Sequence, residues 1–348
     1  MKKRFFVLVM IFIFAFSLAG CAGSPDENAK HSAQKENIAA DLAGTTLKVF
    51  AAYGGKDEIF EAFEADTGIK VEYLDMSSGE VLARIRAEQG KPLGDVWFGG
   101  GVDSFIAAQN DGLLESYVSP EAEHVPDQYR DPEGYWTGIS LVTVSFIVNT
   151  DRCAELGVDI PQTWQDLLKP EFKGEILMPN PSISGTAYTI LSGILQTMGE
   201  EEGWAYMDKL NAQIPYYAKR GGEPPQKAAL GEVAVGLAPD TGEDLKAEGY
   251  PIVSVFPKDG TPWWPSPVAI LKGAENLEGA KVFVDWCLSE KGQQILRDNC
   301  PRVPAREGIE LPECLAGIKD AQLQDIDFVV AGNMRDSLVE QWQAKYGE

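Results

Sequence analysis

Histidine is almost missing: His31 and His124 are the only two in 348 residues. No Cys-x-x-Cys pair or histidine cluster accompanies them, so spacing offers no zinc site. A Gly-x-Ser-x-Gly elbow, a His-Glu-x-x-His helix and a Walker Gly-Lys-Ser loop are absent too. The usual signatures of hydrolases and nucleotide-driven enzymes go with them, and His124, in a Pro-flanked loop, has no partner for acid–base work. Basic residues are outnumbered by acidic ones, 30 to 53, which leaves a formal charge of −23. A surface that acidic argues against nucleic acid and against direct adsorption on an anionic membrane. It does not fix the charge of a ligand held in a cleft, where local donors outweigh a distant field. Beyond the first twenty residues no stretch is apolar enough to span a bilayer, and no internal repeat is found.

What is present begins with export. Lys2-Lys3-Arg4 precedes an apolar run from Phe5 to Leu18, and Leu18-Ala19-Gly20-Cys21 resembles the lipobox of bacterial lipoproteins. Such a segment, residues 1–20, is removed, leaving Cys21 as a lipidated N-terminus. That removal takes three basic residues and no acid, so the mature chain is more acidic still. Residues 21–45 are small and polar and read as a flexible tether. The expected location is outside the cytoplasm, lipid-anchored to the outer face of the cell membrane or periplasmic. Four further cysteines remain, Cys153, Cys287, Cys300 and Cys314. They allow three full pairings, of which Cys300 with Cys314, flanking a Pro-containing loop, is the first to consider.

About 300 residues are enough for two lobes with cores of their own. Thr46–Ala52 reads as a strand, Ile59–Glu64 as a helix stopped by Gly68, and Ile69–Leu74 as a second strand. A helix starts at Ser77-Ser78-Gly79-Glu80, and Asp95–Phe98 is a buried strand ending in Gly99-Gly100-Gly101. Thr143–Thr150 reads as one long strand. Gly174–Met178, then Asn180–Thr186, then apolar residues at helical spacing to Met198 give strand, loop and helix. Asn276–Leu296 reads as one amphipathic helix, and Phe328, Leu338 and Trp342 mark a tail that packs on a lobe. Strand–helix alternation implies an α/β fold with a mainly parallel sheet, in which ligands sit beyond the carboxyl ends of strands. Three loops meet that condition: Tyr53-Gly54-Gly55, Ser77-Ser78-Gly79 and Gly99-Gly100-Gly101. Ser184-Gly185-Thr186, at the first turn of its helix, joins backbone donors to two hydroxyls, a place to hold phosphate or carboxylate. Its alternative role is to cap its own helix.

Several segments resemble the extracellular solute-binding proteins of bacterial ABC importers: Phe63–Tyr73, Val148–Asp151 with Pro161–Ile176, Ser184–Leu191 and Pro267–Leu296. The resemblance covers roughly residues 46–312 in the same order. It points to the branch of ferric-iron, phosphonate and hexose-phosphate binders. It implies the type II periplasmic binding protein fold, two α/β lobes joined by two crossing strands. Lobe 1 would take residues 46–142 and 251–312, lobe 2 residues 143–250, and 313–348 would be the helical tail. The expected partners are a small anionic solute and the transmembrane subunits of a permease, or alternatively a membrane sensor kinase. The protein would work as a monomer, without cofactor and without catalysis.

Ferric binders of this branch use a histidine, a glutamate and two adjacent tyrosines. The matching places here read Tyr53-Gly54-Gly55-Lys56, Phe98-Gly99-Gly100 and Ala238-Pro239-Asp240-Thr241, which offer a hard ion little. Met76–Ser104 and Tyr217–Glu232 resemble the sugar-phosphate and phosphonate side instead. The candidate ligand residues are therefore Tyr53, Gly54, Gly55, Ser77, Ser78, Gly99, Gly100, Ser184, Gly185, Thr186, Arg220, Asp240, Thr241, Trp264 and Ser266. Arg220 either grips the anion or forms a surface ion pair. Asp240 meets a sugar hydroxyl or an ammonium group, or caps a helix. Trp263 and Trp264 stack on a sugar or pack at the hinge. A ferric site remains the alternative reading. Cys21→Ser should release the protein from membranes into the soluble fraction, since one lipid-bearing residue is then the only strong attachment. A variant that stays membrane-bound and unprocessed refutes the lipobox.

Overall fold

Alternation of apolar residues in Thr46–Ala51 makes β1, with Leu47, Val49, Phe50 and Ala51 buried. The structure, a computed structural model, describes residues 41–239, 242–311 and 313–347. Cys21, Asp240 and Thr241 lie outside the described residues. Helix α1 (Lys56–Thr67) buries Ile59, Phe60 and Phe63, and Gly68 ends it in the left-handed conformation at φ 72°. β2 (Lys70–Asp75), α2 (Ser78–Glu88), β3 (Val96–Phe98) and α3 (Val102–Asn110) continue the alternation. After β4 (Leu114–Glu115) come β5 (Thr137–Thr143), β6 (Ser145–Asn149), α4 (Thr150–Leu156) and β7 (Ile176–Pro179). Then follow α5 (Gly185–Met198), α6 (Glu200–Asn211), β8 (Tyr217–Ala218), α7 (Glu223–Ala229), β9 (Val235–Ala238), α8 (Glu243–Ala247) and β10 (Ile252–Val255). β11 (Trp263–Leu271), α9 (Leu277–Leu288), α10 (Glu290–Asn299), β12 (Val303–Pro304), α11 (Phe328–Asn333) and α12 (Arg335–Tyr346) complete the pass.

These strands form two sheets. One runs β12-β5-β11-β3-β1-β2, with β4 against β11; the other runs β10-β6-β9-β7-β8. Both are mixed rather than mainly parallel. β1 pairs in parallel with β2 and β3, and β7 with β8 and β9. The strands by which the chain changes sheet, β5 to β6 and β10 to β11, pair antiparallel, as do β4 and β12. β6 comes directly from β5, and β11 directly from β10, with no crossover helix between the two sheets to force parallel pairing.

The long strand expected over Thr143–Thr150 is broken at Val144, whose N–H bonds Pro262 O at 2.8 Å; Thr143 ends β5 and Thr150 begins α4. The helix expected over Asn276–Leu296 is likewise two helices. Ser289 is extended, and its hydroxyl caps α10 by accepting from Gly292 N at 3.0 Å. A Cβ on Gly292 would lie 1.9 Å from Trp286 O, so only glycine permits the bend. β11 carries Pro265 and Pro267 inside a central strand, where proline normally removes a ladder bond. The register against β5 shifts between Ser266 and Pro267, which absorbs the defect.

Beneath the first sheet, Phe283 sits among Phe60, Phe63, Phe98 and Trp286, with ring centroids 4.9 to 6.5 Å apart. A second core runs from Trp97 and Phe105 through Phe146, Trp164 and Tyr188 to Leu338 and Trp342. As the apolar pattern of the tail suggested, Leu338 and Trp342 are buried, and Phe328 packs edge-on to Trp263 at 4.9 Å. Phe283→Ala should lower stability by about 3–5 kcal/mol, because transfer and cavity terms add for a fully buried ring. The shift of the urea midpoint measures it.

Candidate functional site

Each sheet ends in loops that open helices, and these loops face one another. From the first sheet come Tyr53-Gly54 before α1, Ser77-Ser78 at α2 and Gly100-Gly101 before α3. From the second come Ser184-Gly185-Thr186 at α5 and Lys219 to Gly222 before α7. Together with Pro239, Trp264, Ser266 and Arg302 they line a cleft of about 760 Å³.

The floor of the cleft is a contact between backbones. Gly79 N donates to Ile183 O at 2.9 Å, and Ser78 Oγ accepts from Gly101 N at 2.8 Å. A Cβ on Gly185 would stand 2.7 Å from Gly101 N and 2.8 Å from Gly101 Cα. Missing side chains are what let α2, α3 and α5 start so close together. Of the helices that open here, α1, α3 and α5 have no side-chain cap bond among the described residues; Ser184, at the cap position of α5, does not cap with its hydroxyl. In α1 and α5 the first-turn N–H groups are thereby left for water or a ligand, whereas in α3 Ser104 N already donates to Gly101 O at 3.2 Å.

Several expected ligand residues are wired into the scaffold. Ser266 is fully buried and its Oγ accepts from Gly100 N at 3.1 Å, while Trp264 Nε1 donates to Gly100 O at 2.9 Å. Trp264 is buried, so it shapes the floor and offers no open stacking face; Trp263 donates from Nε1 to Gln324 O at 2.8 Å. Tyr53 donates to Ser140 Oγ at 3.0 Å, and burial pushes its hydroxyl well above the usual tyrosine range. Arg302 lies over the Tyr53 ring at 4.4 Å. Gly55 and Gly99 do not line the cleft. Gly55 has φ 61° and abuts Asn299 O, which a Cβ would meet at 2.1 Å; Gly99, at φ 78°, is packed against Tyr53. Arg220 is tied to Asp75 from the other sheet.

Sequence reasoning placed Gly101 in a ligand-facing loop but missed Lys56, Asp75, Lys219 and Arg302 as lining residues. Lys56 and Lys219 adjoin candidate residues in sequence, a usable signal. Arg302 gave none, since it reaches the cleft only because β12 pairs with β5, Val303 against Leu141. Cys314 forms no disulfide, and neither do Cys153 and Cys287, so the Cys300–Cys314 pairing is not formed. Cys300 lies against Gly54, whereas Cys314 sits near the carboxylates of Glu243 and Asp244 in the other half.

The pattern of the bacterial extracellular solute-binding proteins matches residues 93–327. The chain belongs to that family. An uncharacterized protein of Haemophilus influenzae is 36% identical over 242 residues, 68% of this chain and 70% of that one. The "Probable ABC transporter periplasmic-binding protein y4fP" of Sinorhizobium fredii is 29% identical over 287 residues, 78% of this chain and 76% of that one. The periplasmic binding protein AfuA of Actinobacillus pleuropneumoniae, solved with exogenous fructose-6-phosphate bound, superimposes with a TM-score of 0.84 at 32% identity, over 87% of this chain and 99% of that one. The solute-binding protein thus has the type II periplasmic binding fold, two α/β lobes about a cleft, and its partners are a solute and the permease of an ABC importer. Its family consists of binding proteins.

In this solute-binding protein Gly185→Val should force the floor apart. Overpacking of this kind costs about 1–3 kcal/mol, read as a lower denaturation midpoint. Gly317→Ala, where a Cβ meets nothing within 4 Å, serves as the control and should leave the midpoint unchanged.

Proposed function

We propose that the cleft captures a small organic phosphate or phosphonate and delivers it to an ABC permease, from a monomer held to the membrane by lipid on Cys21. The observation that carries this is the charge of the cleft against that of the chain. Among the described residues that line it, four are cations, Lys56, Lys219, Arg220 and Arg302, and two are carboxylates, Asp75 and Glu223, in a protein of formal charge −23. The uncapped N-termini of α1, α3 and α5 add partial positive charge at the same place. The Ser184 and Thr186 hydroxyls, with Ser77 opposite, supply donors to phosphate oxygens, and Lys219 and Arg302 supply charge. Asp240 and Thr241, which follow the lining residue Pro239 in the sequence, are assigned to the organic part. The fructose-6-phosphate bound by AfuA, a third identical in sequence, supports the same ligand class. A trivalent iron would need several anionic oxygen ligands, and among the described cleft residues Asp75 is engaged by Lys56 and Arg220.

The test is calorimetry of purified, chelator-treated protein against fructose 6-phosphate, aminoethylphosphonate, inorganic phosphate and ferric citrate. Binding of a phosphate ester or phosphonate should survive the chelator. Ser184→Ala should weaken it about ten- to hundredfold, the equivalent of roughly 1.5–3 kcal/mol for one hydrogen bond to a charged group. Heat from ferric citrate alone, unchanged by Ser184→Ala, would overturn the proposal in favour of iron.

A further inference from the structure

We infer that Asp75, Lys56 and Arg220 form a clasp that draws the two lobes together before a ligand arrives, which makes Arg220 part of the closing machinery and not of the anion seat. The inference rests on the reading of the cleft as an anion site. Asp75 is the last residue of β2 and Lys56 the first of α1, both on the first lobe. Arg220 lies in the loop between β8 and α7, on the second. Its guanidinium takes Asp75 twice, Nη1 on the carboxylate Oδ2 and Nη2 on the backbone carbonyl at 3.1 Å. Lys56 Nζ holds the remaining carboxylate oxygen, Oδ1, at 3.2 Å. One carboxylate oxygen and the main-chain carbonyl of Asp75 are thus engaged by two guanidinium nitrogens across the cleft, while Lys56 steadies the other carboxylate oxygen from the same lobe. A fork that grips side chain and main chain of one residue is fixed in direction as well as distance.

The three residues line the same cleft that keeps about 760 Å³ with the clasp made, so this closure leaves room for a solute. The two possible roles of Arg220 differ in sign at Asp75. If Arg220 seated the anion, Asp75 would be its competitor, and removing that carboxylate would tighten binding. If Arg220 clasps, the carboxylate favours the closed form, and removing it weakens binding because closure must then be driven by the ligand alone. The pair is half-exposed, with side-chain exposures of 48% and 44%, so salt must weaken it.

The experiment has two arms on the full mature chain. Small-angle scattering of the ligand-free protein should give a larger radius of gyration for Asp75→Asn and for Arg220→Gln than for wild type. High salt should move wild type toward the variants. Calorimetry with fructose 6-phosphate should then show each variant weakened about two- to fivefold, the range of an exposed ion pair. The double variant should be no weaker than either single one. Tighter binding by Asp75→Asn, or ligand-free scattering curves that superimpose for all three proteins, would overturn the clasp. If wild type takes no fructose 6-phosphate and none of the other phosphorus compounds, the ligand class falls, and the scattering arm alone decides the clasp.

Discussion

Three helices begin within touching distance of one another, two from one sheet and one from the other, because Gly79, Gly101 and Gly185 place no side chain between them. A Cβ at Gly79 would stand 2.5 Å from Ser182 O, and one at Gly101 would stand 2.9 Å from Gly185 Cα. This close approach makes the cleft floor a single surface built from two lobes. It also concentrates helix ends, whose partial charges repel one another, at a place where only a counter-charge relieves them. The buried pair Asp103–Arg335, at 2.8 Å, holds α3 to α12 from behind, with Tyr188 of α5 under the same guanidinium at 5.1 Å. Burial raises the pKa of Asp103 despite that partner. The floor therefore rests on a charged contact that is expensive to desolvate and costly to break.

Much of this was legible before any coordinates. Ser184-Gly185-Thr186, Ser77-Ser78 and Gly100 stand where strands end and helices begin, and apolar periodicity marks such places well. The charged half of the cleft was harder to read. Lys56, Asp75, Lys219 and Arg302 belong to no periodic pattern, and their convergence depends on which strands pair. Trp264 and Ser266 were read as ligand contacts because aromatic and hydroxyl side chains near a cleft suggest it; tertiary hydrogen bonds to Gly100 give both another task. The break at Ser289 was hidden for a different reason. The apolar stripe runs on through it, from Phe283 and Cys287 to Leu296, so the period gives no hint that the backbone has turned.

Acidity and anion capture are compatible because they act at different ranges. The chain's carboxylates are spread over the whole surface and screened beyond about 8 Å at physiological salt. The cleft cations line the space that a ligand enters. Global charge in such a protein bears on solubility, and local charge bears on binding.

The last helix has a consequence for how the molecule comes into being. Leu338 and Trp342 of α12, with Ala331 of α11, are buried in the core that also holds Trp97, Phe105, Tyr188 and Leu191, and Tyr188 donates to Ala331 O at 2.5 Å. That core stays open on one side until residue 342 has been delivered. A chain made or threaded from its first residue onward can form its early strands, but it cannot seal the space between α3 and α5 until nearly everything else has arrived.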